Sequence, residues 1–249
     1  MLQMRTLSPE WILRRHLQII LILVAAHIVV GIFAAMGRAG LLGMSRLFRL
    51  SGEANFPSLF SAAALCASGV VAGAVARRTE GHARLGWNLI SVFFLILAVD
   101  EGVSLHEQLN RVEAYLDPRL SFKLLGVSLY LLAGLTLAWY LFGWWRTLPR
   151  PLGQRLVGAA LLFAVSAAGV EVIEIQILTK AGLDEFSWPA TLLFAVEEGG
   201  EMVAGALFLH IFLTRFVQLG GGTIGVSIVA NDHRPEREHG KVEGVTRFS

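Results

Sequence analysis

Eight carboxylates fall inside three stretches that otherwise read as apolar, membrane-crossing helices. Asp100, Glu101 and Glu107 lie on the first of these, with His106 beside them. Glu171 and Glu174 lie on the second, and Glu197, Glu198 and Glu201 on the third. No lysine or arginine lies between Arg84 and Arg111, between Arg155 and Lys180, or between Lys180 and Arg215. Ion pairing within these helices therefore cannot neutralise the acids. Each ionised side chain near a bilayer centre costs about 2.5–3.5 kcal/mol on insertion scales. The acids must be protonated, hydrated, held near the interface, or bound to cations.

The last option has a recognisable chemistry. Carboxylates with a histidine, projected inward from facing helices, hold hard or intermediate metal ions. Here the patterns are D-E-x-x-x-x-H-E, E-x-x-E and E-E-x-x-E. They lack the E-x-x-H of soluble di-iron bundles, so zinc and manganese stand beside iron as the expected divalent metal. The expected ligands are Asp100, His106, Glu107, Glu171, Glu174, Glu198 and Glu201, in some subset. Glu197 is the expected general base, because metal-bound water needs a proton acceptor. Glu171 and Glu174 are i, i+3 and share a face, as do Glu198 and Glu201. On a regular helix Asp100, Ser104 and Glu107 share a face. His106 then points roughly 100–120° away, and reaches a common site only if the helix end bends or unwinds.

Depth decides whether these groups can meet. A span needs roughly 20 apolar residues. Six stretches qualify, at about Leu17–Met36, Pro57–Ala76, Leu85–Glu107, Leu124–Trp145, Leu156–Thr179 and Trp188–Leu213. The third and fifth run one way and the sixth runs the other. Asp100 lies about 10 Å from the end of its stretch, Glu171 about 12 Å, and Glu197 about 13 Å from the start of its own, with Glu201 about 6 Å deeper. Three helices thus place acids near one level.

Composition agrees with an all-α, polytopic membrane protein, a six-helix bundle. Of 249 residues, 55% are hydrophobic and 16% charged, and the mean hydropathy is +0.61. These values exclude a disordered chain and argue against a soluble domain. A net charge of +2 gives no reason to expect a nucleic-acid partner, and the single cysteine, Cys66, excludes an internal disulfide. The N-terminal apolar run is longer than a signal-peptide core of about 7–15 residues, so it reads as an uncleaved first helix. Gly40–Leu50 mixes apolar residues with Arg46 and Arg49 and reads as an interfacial helix between the first and second spans. The expected domains are a transmembrane unit over residues 1–219 and a flexible polar tail over 220–249. With both termini cytoplasmic, the inner side carries ten arginines near helix ends and the outer side seven Arg and Lys residues, a weak positive-inside bias. Trp139, Trp144 and Trp145 then form an aromatic anchor at the inner end of the fourth span.

Three smaller readings complete the picture. His27, alone in the first span, is expected to bond helix to helix. His210 lies at the surface opposite the acids. Gly199, Gly200, Ala204 and Gly205 are expected to admit close helix approach, with the glycine pair able to unwind near the site, and Cys66 to pack inside.

The run Gly52-Glu53-Ala54-Asn55-Phe56-Pro57, with the D-E-x-x-x-x-H-E and E-E-x-x-E motifs, resembles a group of small bacterial multi-pass membrane proteins. The resemblance covers most of residues 45–213. It implies a bacterial inner-membrane location and supplies no activity, fold or ligand. The acids give the functional expectation, a metal-binding membrane protein, of which a metal-dependent enzyme acting on a lipid-like substrate from the bilayer is one form. A proton- or cation-coupled transporter and a non-catalytic assembly or sensor subunit are the alternatives. A transporter needs a polar path across the bilayer, whereas the acids lie on one side only.

Overall fold

The computed structural model describes residues 6–38, 43–52, 54–105, 124–170, 172–173, 182–183, 186–220 and 224–225. It is helical throughout, apart from a two-residue antiparallel pairing of β1 (Thr6–Leu7) with β2 (Ile224–Gly225). The helices are α1 (Pro9–Ala35), α2 (Met44–Phe48), α3 (Phe56–Arg77), α4 (Gly81–Val103), α5 (Leu124–Trp145), α6 (Arg150–Ala164) and α7 (Trp188–Gly220). A π-helical turn, Val165–Val170, continues α6.

Local chemistry sets the helix ends. Ser8 caps α1 by accepting from the Trp11 N–H at 3.1 Å, with Pro9 next in the chain. Asn55 and Ser58 form a reciprocal capping box at the start of α3. Gly81 takes φ +54° in the tight turn between α3 and α4, a conformation that suits glycine.

Among the described residues, five helices are long and apolar enough to cross a membrane: α1, α3, α4, α6 with its π turn, and α7. In α5 the qualifying apolar portion, Leu131–Trp145, is shorter. The bundle is organised around α7, which packs against α1, α3 and α6, while α3 and α4 form a close hairpin. Direction follows from the contacts. Gly31 meets Thr191, Gly199 meets Val24, and His210 bonds the Pro9 carbonyl, so α1 is antiparallel to α7. Leu65 meets Gly205 and Arg78 meets Phe216, so α3 is parallel to it. Leu21, Ile22, Leu59, Leu132, Leu161 and Val196 all face outward, a surface that only a lipid-like environment favours at this scale.

One half of the bundle holds an aromatic layer. Trp87 meets Trp144 and Phe212 edge-on at 5.4 and 5.5 Å, and Phe94 meets Phe208 at 4.9 Å. Trp144 is therefore buried core, and Trp145 donates its indole N–H to the Gly153 carbonyl at 3.2 Å. Of the three tryptophans expected as an anchor, only Trp139, 86% exposed, is free to serve as one. Cys66 faces outward, not into the packing.

Candidate functional site

The acids take positions on the buried stripes of two helices. On α7, Ala190, Phe194 and Glu197 follow one another at i, i+4 and i+7, and all three are buried. On α4, Leu97 and Asp100 do so at i and i+3, and the capping residue Ser104 is buried beyond them. Asp100 is 7% exposed and Glu197 8%. Each therefore occupies a place that an apolar side chain would fill, at a cost unless it is partnered. Glu101, Glu198 and Glu201 are half-buried. Each of these five acids makes at least one hydrogen bond, ion pair or other electrostatic contact.

The aromatic layer fixes their relative depth. Phe94 of α4 and Phe208 of α7 are in contact, and the two helices run in opposite directions. Asp100 lies six residues beyond Phe94, about 9 Å along the axis, and Glu201 seven residues before Phe208, about 10 Å. Asp100 and Glu201 therefore share a level, with Glu197 one turn further toward the same end.

Regular helix stops just before the expected histidine. Ser104 adopts a left-handed conformation, φ 56° and ψ 50°, and its N–H returns to the Asp100 carbonyl at 2.5 Å. Regular α4 ends at Val103, so the shared face expected for Asp100, Ser104 and Glu107 does not rest on one continuous helix. The angular argument against His106 lapses for the same reason. His106, Glu107, Glu171 and Glu174 lie outside the described residues. Among the described residues, no three His, Cys, Asp or Glu side chains gather closely enough to hold a metal ion.

Helix α7 stays regular through Gly199 and Gly200. These glycines admit neighbours instead of unwinding: Val24 packs on Gly199, and Ser166 on Gly200. The departure from α-geometry is in the facing element, the π turn that contains Ser166. Such turns often occur at functional sites.

Two residues outside the acid motifs complete this end of the bundle. His27 is buried, with Nε2 3.0 Å from the Thr191 carbonyl and Nδ1 accepting from the Leu50 N–H at 3.0 Å. It bonds helix to helix as expected, and also pins the loop after α2. Asn55 holds that loop from the other side. Its amide nitrogen donates to the Arg49 and Gly52 carbonyls at 2.7 and 2.5 Å, and its oxygen accepts from the Ser58 N–H at 3.0 Å. The loop so fixed carries Arg49, whose guanidinium lies 4.1 Å from the Phe186 ring centre and 5.9 Å from that of Phe194. Phe194 is one turn before Glu197 and Glu198. A cation from outside the acid helices is thus brought beside the acid stretch of α7. Sequence spacing alone had no means to assign it there, because nothing in the pattern says which interfacial arginine folds back.

A family model described as a domain of unknown function, DUF8692, matches residues 17–216. The chain belongs to this family. The match begins within α1, ends within α7, and includes every acid named above. No curated protein and no solved structure matches the chain.

Proposed function

We propose that this DUF8692 protein is a bacterial inner-membrane protein of six spans that binds a divalent metal in an acid-rich intramembrane site. Helix α5 supplies the sixth span, since its 22 residues, Leu124–Trp145, join α4 to α6. Helix α2 lies in the interface, and both termini face the cytoplasm. The pairing of β1 with β2 supports termini on a common side. The arginines of the other helix ends support the assignment of that side as the inner one.

One observation carries the functional reading. Two carboxylates from different helices, Asp100 and Glu197, are buried in the core of the same end of the bundle. Burial of this kind is offset by a cation or by protonation. His106, Glu107, Glu171, Glu174, Glu198 and Glu201 are the further ligand candidates. Glu197 is the candidate base for a metal-bound water, and an apolar, lipid-like molecule is the substrate class that reaches such a site from the bilayer. The aromatic layer of Trp87, Phe94, Phe208 and Phe212 argues against a polar path through the described helices, and hence against transport.

A second reading draws on Arg49. If its guanidinium serves as the counter-charge, the acids form a structural network of a non-catalytic subunit, without metal. Elemental mass spectrometry on detergent-purified protein, beside Glu171→Ala/Glu201→Ala, separates the two. One or two equivalents of iron, zinc or manganese, lost in the double variant, are expected. No metal, before or after reconstitution with each ion, would leave the arginine network.

A further inference from the structure

At the end of the bundle opposite the acids lies a pocket of about 190 Å³ between the start of α6 and the end of α7. Pro149 and Leu152 form one wall, Arg155 rises from the next turn of α6, and Thr214, Arg215 and Gln218 come from α7. Among the described residues, none that lines it is acidic. We propose that this pocket binds a phosphate group, carried by an anionic lipid headgroup or free in solution.

The chemistry follows from the donors. Two arginines on separate helices line one space, and the planar arginine fork matches phosphate oxygens in pairs. Arg215 Nε is buried and has no hydrogen-bond partner among the described residues. A buried donor of this kind is costly to leave unpaired, so the Arg215 side chain gains by turning it toward an anion in the pocket. The Thr214 hydroxyl is already committed, donating to the His210 carbonyl at 2.8 Å. Selectivity therefore rests on the two arginines, with Gln218 as a neutral donor. Helix α6 begins at Arg150, so the positive end of its dipole adds to the same field.

Position favours the same ligand. The pocket opens where membrane-crossing helices end, at headgroup depth. Basic pockets between such helices on the cytoplasmic side take phospholipid headgroups. The inference depends on the membrane location and on no metal at the acid site.

The test uses the full chain in detergent, by native mass spectrometry and thermal unfolding. The probes are phosphatidylglycerol, phosphatidylcholine and inorganic phosphate. The expected result is retention of phosphatidylglycerol at least tenfold over phosphatidylcholine, or stabilisation by phosphate, with a rise in Tm of about 5 °C at saturation. A response to the lipid alone identifies a headgroup site, and a response to phosphate alone a soluble ligand. Arg155→Gln/Arg215→Gln should abolish the response, and Arg155→Lys/Arg215→Lys should keep part of it. Because Arg155 is exposed, Arg155→Gln alone serves if the double variant does not fold, with a fall in affinity of severalfold or more expected. Equal retention of both lipids with no phosphate effect overturns the proposal. So does a folded glutamine variant that binds as the parent does.

Discussion

His27 and Thr191, 164 positions apart, are joined by a hydrogen bond that sets the protonation pattern of a buried imidazole. The Leu50 N–H can only donate, so His27 Nδ1 must accept from it. The ring proton then sits on Nε2 and goes to the Thr191 carbonyl. One side chain on α1 thus ties α7 to the loop that carries Arg49.

His27→Ala should leave the buried Leu50 N–H without its partner and cost about 1–3 kcal/mol. His27→Gln retains one donor and one acceptor and should recover part of the loss. Thermal or denaturant unfolding in a fixed detergent measures the order. Equal loss in both variants would show that the ring contributes by packing alone.

Asn55 presents a sharper chemical test. Asn55→Ala removes the cap of α3 and should cost about 1–2 kcal/mol. Asn55→Asp preserves the capping acceptor but turns a carboxylate oxygen toward the Arg49 and Gly52 carbonyls, which now accept at 2.7 and 2.5 Å. The aspartate variant should therefore be no more stable than the alanine variant, although aspartate is a good cap elsewhere. Unfolding midpoints of the two variants check this.

Much of the architecture is legible in the residues because lipid imposes simple demands. Apolar runs of sufficient length and their breaks place α3 and α5 within a residue or so, but counting from the span ends sets Asp100 level with Glu197, whereas the Phe94–Phe208 contact sets it level with Glu201, one turn deeper. The misses have particular causes. Hydropathy does not see the left-handed turn at Ser104, which ends α4 short of Glu107, because Ser104 is an ordinary polar residue near a span end. It does not see the π turn either, where Ser166 meets Gly200 of another helix. It cannot tell a belt tryptophan from a core one, so Trp144 and Trp139 read alike until Trp87 is placed beside the former. In a lipid-facing protein Cys66 can point outward at little cost, so its apolar character gives no direction.

The fit of Ser166 on Gly200 predicts an epistatic pair. A methyl group on Gly200 would overlap the Ser166 hydroxyl, so Gly200→Ala should cost about 1–3 kcal/mol through overpacking. Ser166→Ala removes the overlapping oxygen and should return part of that cost in the double variant. A double-mutant cycle on unfolding free energy should show coupling of at least about 0.5 kcal/mol. Strict additivity would mean that the π turn yields freely.

The two readings of the acid end diverge most clearly at Arg49. Suppose the acids hold a metal. Removing a positive charge near Phe194 then strengthens cation binding, because like charges repel across a medium of low effective dielectric. Arg49→Gln should raise divalent-metal affinity several-fold, while Asp100→Asn lowers it tenfold or more and Glu197→Gln, altering the base and not a ligand, leaves it near the parent value. Suppose instead that Arg49 is the counter-charge. Arg49→Gln then leaves a buried acid uncompensated and destabilises the fold by about 3–5 kcal/mol, and a second change, Asp100→Asn or Glu197→Gln, restores stability. Metal titration and unfolding on the three single and two double variants distinguish these outcomes. Rescue by Asp100→Asn together with absence of metal in the parent would assign the acids to the arginine network.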